Sequence, residues 1–277
     1  MLREAREHLH QKLIEQGFDN PSNTTLVLFS HILNRPKSYI LAHGSYELTP
    51  QEKSFLHEVI TKISKEVPLP YILGEWEFFG RKFIVSPDVL IPRPETELLV
   101  EKALQIAKTF ENPRIIDVGT GSGAIIISLA SELPPGIFIA SDLSRGALKI
   151  AKHNTQRFSL SQIQFLQADL LTSIYAQFDL ICANLPYIPR IKMSELQVAK
   201  SEPLLALDGG IDGLVLIQKL ITQAQSRLTP KGAILLEIEA SLGNETLSIA
   251  KNTFPQAACK IYQDLAGHDR LLEIRSP

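Results

Sequence analysis

After Ile91-Pro92-Arg93-Pro94, short apolar runs alternate with helical patterns to the end of the chain, and no other feature restricts the fold as much. Helical spacing over 95–109 precedes an apolar run at 114–118; 122–132 precedes 137–141; and 144–157 precedes 163–167. A run at 178–183, a helix over 211–227, a strand at 232–239, a helix over 242–253, and strands near 258–263 and 270–275 complete the series. Strands joined through helices cannot pair as hairpins. They form a mostly parallel sheet with helices on both faces, an α/β fold. The last two strands have no helix between them, which predicts an antiparallel strand at one edge.

Upstream, about seventy residues read as helices only. Leu2, Ala5, Leu9, Leu13 and Ile14 share a helical face, and Gly17 follows as a stop. Pro21 through Leu33 is a second helix capped by Asn20, and Tyr39 to His43 a short third. Thr49-Pro50-Gln51-Glu52 carries a start signal, with Thr as cap, Pro at the first helical position and Glu three residues past Thr. That helix runs to about Glu66, where Val67-Pro68-Leu69-Pro70 breaks it. Trp76-Glu77-Phe78-Phe79 and Lys82-Phe83-Ile84-Val85, around Gly80-Arg81, predict a hairpin connecting the two regions.

Composition narrows the function classes. A formal charge of −2 over 277 residues demands no nucleic acid as partner. Two cysteines, Cys182 and Cys259, give no disulfide framework or zinc cluster and fit a reducing, cytoplasmic setting. The seven histidines have no metal-ligand spacing, so no metal is expected. The charged N-terminus lacks a signal-peptide core, and no apolar stretch approaches the ~18 residues of a membrane span.

Ile115-Ile116-Asp117-Val118-Gly119-Thr120-Gly121-Ser122-Gly123-Ala124 reads as strand, tight loop and helix. Glycines let the chain turn sharply and let a ligand approach the main chain. Gly119-x-Gly121-x-x-Ala124 also satisfies a dinucleotide fingerprint, so the loop alone is ambiguous. The flanking acids tilt it. Asp117, two residues before the first glycine, suits an ammonium group and would repel a pyrophosphate. Asp142, followed by Leu143 at the end of the next strand, can accept from both hydroxyls of a ribose; Asp169 and Leu170, after the third, suit an adenine amino group and ring. Ligands in such sheets bind across these strand ends. Ammonium, ribose and adenine together describe S-adenosylmethionine.

Asn184-Leu185-Pro186-Tyr187 closes the apolar run 178–183 and falls at the same edge of the sheet. The Asn184 side-chain oxygen and a main-chain carbonyl, that of Leu185 or Pro186, can accept from a planar –NH2 group. Tyr187 can cover the flat group that carries it. Asn184, Pro186 and Tyr187 are therefore the candidate catalytic residues. Glu95 and Glu97 read as favourable charge at a helix N-terminus, and Cys182 as buried strand filling.

These motifs together give the chain its resemblance to the release factor glutamine methyltransferases (the HemK/PrmC family), over nearly its whole length. The carriers are Tyr71-Ile72-Leu73-Gly74, Ile91-Pro92-Arg93-Pro94-Glu95-Thr96-Glu97, Asp117 through Gly123, Asn184-Leu185-Pro186-Tyr187-Ile188, Glu202-Pro203, and Ala206-Leu207-Asp208-Gly209-Gly210-Ile211-Asp212-Gly213-Leu214. The resemblance implies a seven-stranded, Rossmann-like class I methyltransferase domain over 91–277, a β-hairpin linker over 75–90, and an N-terminal helical bundle over 1–74 that recognises release factors. It implies S-adenosylmethionine as cofactor, held by Asp117, Gly119, Thr120, Gly121, Ser122, Gly123, Asp142, Leu143, Asp169, Leu170 and Asn184. The implied substrate is the glutamine of the Gly-Gly-Gln loop of class 1 peptide chain release factors, at Asn184, Leu185, Pro186 and Tyr187, with Phe83 and Arg93 on segments closing over the pocket. The family usually has Asn-Pro-Pro-Tyr where this chain has Leu185. The Asn-Leu-Pro-Tyr spelling is common in rRNA adenine dimethyltransferases, which lack the IPRPETE and ALDGGIDGL segments. An adenine N6-methyltransferase of nucleic acid and a non-catalytic cofactor-binding protein are the other classes; the first calls for a basic groove, and the sequence has no strong basic cluster. A monomer without stable nucleic-acid or membrane binding is expected.

Overall fold

In the computed structural model, which describes residues 1–277, helices alone build the first of two units, Met1–Gly74. These are α1 (Leu2–Glu15), α2 (Pro21–Leu33), α3 (Lys37–Ala42), α4 (Pro50–Ser64) and α5 (Leu69–Leu73). Leu2, Leu9 and Leu13 of α1 pack with Leu28, Phe29 and Ile32 of α2 and with Leu56, Val59 and Ile63 of α4. Ile14, counted on the apolar face, is half exposed instead. The cap of α4 forms as its sequence predicts: Thr49 Oγ1 accepts from Glu52 N at 3.2 Å, and Glu52 Oε2 accepts from Thr49 N at 2.7 Å. The Pro68–Pro70 segment, expected only to break a helix, also starts α5. A proline in the first turn lacks an N–H that would have no partner there.

The second unit, Glu75–Pro277, begins with a hairpin of β1 (Glu75–Phe78) and β2 (Arg81–Ile84). Its turn is Phe79-Gly80, both at positive φ (49° and 67°), so Arg81 opens the second strand instead of closing the turn. Glu97 Oε1 accepts from Phe79 N at 2.8 Å and holds that left-handed residue. There follow α6 (Glu97–Ala107), β3 (Arg114–Val118), α7 (Ala124–Glu132), β4 (Ile137–Asp142), α8 (Arg145–Arg157), β5 (Ile163–Gln167) and β6 (Phe178–Ala183). After α9 (Val198–Ser201) come α10 (Val215–Ala224), β7 (Leu228–Glu237), α11 (Gly243–Thr253), β8 (Ala258–Gln263) and β9 (Asp269–Arg275). No helix is long and apolar enough to cross a membrane.

The seven-stranded sheet runs β5-β4-β3-β6-β7-β9-β8. Consecutive residues of β3 feed opposite cores. Ile115 packs with Leu99, Ile126 and Phe138 on one face, and Ile116 with Ile181, Leu220 and Ile234 on the other. Burial on both faces is why these strands read as unbroken apolar runs. The antiparallel strand is β9, and it lies inside the sheet between β7 and β8 instead of at the edge. The tight Asp264–His268 turn lets the last strand fold back, and β9, with Leu271, Leu272 and Ile274 buried, takes the inner place. The partly exposed β8 is left outside. Strand order reverses between β3 and β6, which opens a crevice at their C-terminal ends.

Candidate active site

The glycine loop is folded by its own backbone. Gly119, Gly121 and Gly123 all have positive φ (75°, 55° and 82°). Gly119 N and Thr120 N both donate to Ser141 O at 2.9 Å, clamping the loop to the end of β4. Gly121 N donates to Asp142 Oδ2 at 2.9 Å and Ser144 N to Asp142 Oδ1 at 2.8 Å. With Gly121 N committed to a carboxylate, the loop does not offer that donor to a phosphate. Burial pushes the Asp142 carboxyl above its usual range, opposed by these backbone donors.

These groups wall a cavity of about 270 Å³. Gly119, Thr120, Gly121 and Ser122 form one side, with Asp142, Leu143, Asp169 and Leu170 along the strand ends. Leu170 is held at φ 51°, a conformation that bulky side chains rarely adopt. Asp169 is paired with Lys219 at 2.5 Å. Leu90, Arg93, Asn184, Leu185, Pro186 and Ala206 line this cavity and also an adjoining one of about 230 Å³, which continues along Tyr187, Ile188 and Val198. Asn184 thus stands where the two chambers meet.

The Asn184–Tyr187 loop is propped by the glycine-rich segment that follows. Gly209 N donates to Ile188 O at 2.9 Å and Ile188 N to Leu207 O at 3.0 Å. A Cβ on Gly213 would lie 2.3 Å from Tyr187 O, and one on Gly209 2.7 Å from the Tyr187 backbone. Only glycine permits this approach. Asp212 Oδ1 accepts from Leu214 N at 2.9 Å, and Gly213 turns at φ 85°, so α10 starts at Val215 and not near 211 as its pattern suggested. Burial pushes the Tyr187 hydroxyl up to about 12, so it stays neutral.

Residues 109–266 match a family model described as a methyltransferase domain, and residues 4–74 match one described as a PrmC N-terminal domain. A release factor glutamine methyltransferase of Koribacter versatilis is 38% identical over 91% of this chain and 89% of its own length. The chain belongs to the release factor glutamine methyltransferase family. The enzyme of that name from Deinococcus radiodurans is 32% identical over 99% of this chain and 98% of its own. Among solved structures, a methyltransferase from Pyrococcus furiosus, 17% identical, superposes with a TM-score of 0.52 over 72% of this chain and 90% of its own, a likeness of fold.

Within this member of the family, three residues expected at the site lie behind it. Asp117 is fully buried and forms no part of the cavity wall; Thr120 folds over it and donates to its Oδ2 at 2.6 Å. Burial pushes the Asp117 carboxyl up to about 7. Gly123 faces away from the cavity, where a Cβ would lie 2.9 Å from Ile127 and 3.3 Å from Ala151. Phe83 is completely buried among Phe78 and Phe158, with ring centroids 6.0 and 5.3 Å away, so it is a core residue of the hairpin and not a pocket residue. Its strand presents alternate residues to opposite faces, and Phe83 falls on the inner one.

Three polar side chains beside the site were not among the expected site residues. Glu202 is buried, pairs with Arg93 and accepts from Ile91 N at 3.1 Å, fastening the IPRPETE segment to the chain beyond Asn184. Thr96 Oγ1 accepts from Asn184 Nδ2 at 3.1 Å, and Glu237 is buried beside both. An acid inside the apolar run Ile234–Ile238 was the available signal for Glu237.

Proposed function

We propose that this chain transfers a methyl group from S-adenosylmethionine to the side-chain amide nitrogen of the glutamine in the Gly-Gly-Gln loop of class 1 peptide chain release factors. The observation that carries the reading is the two-chamber site joined at Asn184. The larger chamber suits the cofactor: Asp142 offers a partly desolvated carboxylate to a ribose, and Leu143 and Leu170 offer apolar cover to an adenine. The smaller one suits a flat side chain entering against Pro186 and Tyr187. Bound S-adenosylmethionine supplies an electrophilic methyl on a sulfonium sulfur.

The protein's part is to hold the amide. A carboxamide nitrogen is a poor nucleophile because its lone pair is delocalised. Asn184 Nδ2 is committed to Thr96, which leaves Oδ1 to accept from the substrate –NH2. A main-chain carbonyl of Leu185 or Pro186 accepts the second N–H, and Tyr187 packs against the amide plane. Two acceptors orient the lone pair along the line of transfer, and alignment of two bound reactants contributes several kcal/mol to the rate. Neither acceptor needs to remove a proton before transfer.

Residues 1–74 recognise the release factor in this reading, which the family match over 4–74 supports. The enzyme acts as a cytoplasmic monomer without stable nucleic-acid binding. The test is incubation with methyl-labelled cofactor and a purified release factor, beside the factor with Gln→Ala in its Gly-Gly-Gln loop. Label should enter only the intact factor, and Asn184→Ala should remove most of the transfer while cofactor affinity persists. Label in a bare nucleic acid and not in the factor would transfer the assignment to the adenine N6 class.

A further inference from the structure

We infer that Glu237 is a positioning residue for methyl transfer: together with Thr96 it fixes the Asn184 carboxamide with its nitrogen toward the protein and its oxygen toward the cavity. The inference rests on the reading that Asn184 holds the substrate amide.

The geometry begins with strand register. In the parallel pair of β6 and β7, Ala183 lies beside Leu236. One residue further along each strand stand Asn184 and Glu237, at the same level of the sheet end. Thr96 reaches this point from the IPRPETE turn, where its own N donates to Arg93 O at 3.1 Å. Asn184 Nδ2 donates to Thr96 Oγ1 at 3.1 Å, and the buried Glu237 carboxyl stands close enough to both side chains for their donors to act on it. A hydroxyl has one proton. If Thr96 Oγ1 accepts from Asn184, its proton is free to turn toward the neighbouring Glu237 carboxylate, which only accepts, so the donors run in one direction toward the acid.

That direction solves a problem particular to asparagine. The two ends of a carboxamide are nearly the same size, so shape alone does not decide which faces the cavity. An –NH2 turned toward the substrate –NH2 would set donor against donor. An ionised acid on the protein side accepts only N–H, so it selects the orientation with Oδ1 outward. Glu237 is 4% exposed, and its Oε2 has no protein partner. A buried carboxylate with an idle oxygen is costly to keep and adds little stability by itself. It does not line either chamber, so it acts through Asn184 and does not touch the substrate.

Charge around the group gives the chain a pH signature. Burial, reinforced by the Glu95 charge, raises the Glu237 carboxyl to about 7; Arg270 on β9 and the Thr96 and Asn184 donors oppose that shift. Tyr187 also faces it and stays neutral. On protonation the acid gains a donor, the preference for N–H is lost, and the Asn184 orientation is no longer enforced.

The experiment compares wild type, E237Q, T96V, T96S, N184A and the E237Q/N184A double variant, full length, with release factor and labelled cofactor. The expected result for E237Q and T96V is a roughly 10- to 100-fold fall in kcat, the scale of a reacting group displaced by about an ångström. KM, cofactor affinity by calorimetry and melting temperature should stay near wild type, and T96S should retain activity. Wild-type kcat should fall as pH drops through about 7, and this limb should vanish in E237Q. Loss of Glu237 should add little in the N184A background, because both act on one interaction. Wild-type kcat and pH profile in E237Q, a fall in kcat matched by a fall in melting temperature, or a full multiplicative loss in the double variant would each overturn the inference. If N184A is inactive while E237Q is normal, only the role of Glu237 falls. If N184A itself turns over normally, the substrate-amide reading falls and this inference with it.

Discussion

Asn154 ties the hairpin to the glycine loop, and its replacement by leucine tests how far the site depends on that tie. The side chain is completely buried on α8. Its Oδ1 accepts from Ile84 N at 2.7 Å, while Nδ2 donates to Ile84 O at 3.0 Å and to Ser122 O at 2.8 Å. Three backbone groups of two separate segments therefore find their partner in one carboxamide. Leucine has the same branched heavy-atom shape, though bulkier, and leaves all three groups without a bond. Each such bond contributes about 1 kcal/mol net, and an orphaned buried group costs at least as much, so the substitution should destabilise the second unit by about 3 kcal/mol. For a domain of this size that is a drop of roughly 6–12 °C in melting temperature.

The assay is urea unfolding followed at two signals. Trp76, the one tryptophan of the chain, sits in β1 and reports the hairpin, while far-ultraviolet dichroism reports the helices and sheet. In Asn154→Leu both transitions should move to lower urea, the tryptophan signal first, because the hairpin loses its anchor. Cofactor affinity should weaken as well, since Ser122 lies on the cavity wall and loses its brace. A destabilisation under about 1 kcal/mol, with coincident transitions and unchanged affinity, would refute the reasoning.

Asp142→Ala should weaken cofactor binding roughly 10- to 100-fold by calorimetry, the usual worth of charged hydrogen bonds, and affinity within twofold of wild type would count against the ribose role. Gly213→Ala places a methyl 2.3 Å from Tyr187 O at φ 85°; it should cut kcat sharply while cofactor affinity holds, and normal turnover would mean the loop is not propped as described. Asp117 is raised to about 7, whereas an unfolded aspartate titrates near 4; the folded state holds the extra proton in between, so stability falls as pH rises from about 4 to 7. Asp117→Asn should reduce that decline in thermal scans at pH 5 and pH 8, and an unchanged decline would sink the assignment.

The fold was readable because its signals are local and repeated. Helical spacing in the bundle, the Thr49–Glu52 cap and the apolar strands each show themselves within a few residues. The departures come from competition between elements. Arg81 belongs to a strand because Phe79 and Gly80 supply both left-handed residues of the turn. β9 displaces β8 from the inner position because it has more apolar surface to bury. The 184–214 excursion gave only its motif, since its short turns are shaped by close backbone contact with Tyr187, which no periodicity reports. Leu185 is intelligible only in three dimensions. It is buried, and its Cδ2 would lie 3.3 Å from a Cβ on Gly119, so the residue in the place of the usual proline packs the Asn184–Tyr187 loop onto the glycine loop.

The same distinction governs the site. The cavity-lining residues that sequence points to, from the glycine loop, Asp142, Asp169 and Asn184, stand at the ends of strands in a sheet whose ligands bind there. Their roles could not be read from sequence, because a role depends on which polar atoms are already engaged. Asp117 looked like a ligand, and it is buried behind the cavity wall with one oxygen taken by Thr120 and the other without a partner. Gly121 lies in a loop that also satisfies a dinucleotide fingerprint, and its N–H is taken by Asp142. Asn184 has its nitrogen engaged by Thr96, which leaves its oxygen free and is why the proposed function gives that atom the substrate amide. Adenine and glutamine present the same –NH2 to such an acceptor, so under the proposed function discrimination between them falls to the second chamber, lined by Tyr187, Ile188 and Val198, and to recognition of the release factor by residues 1–74.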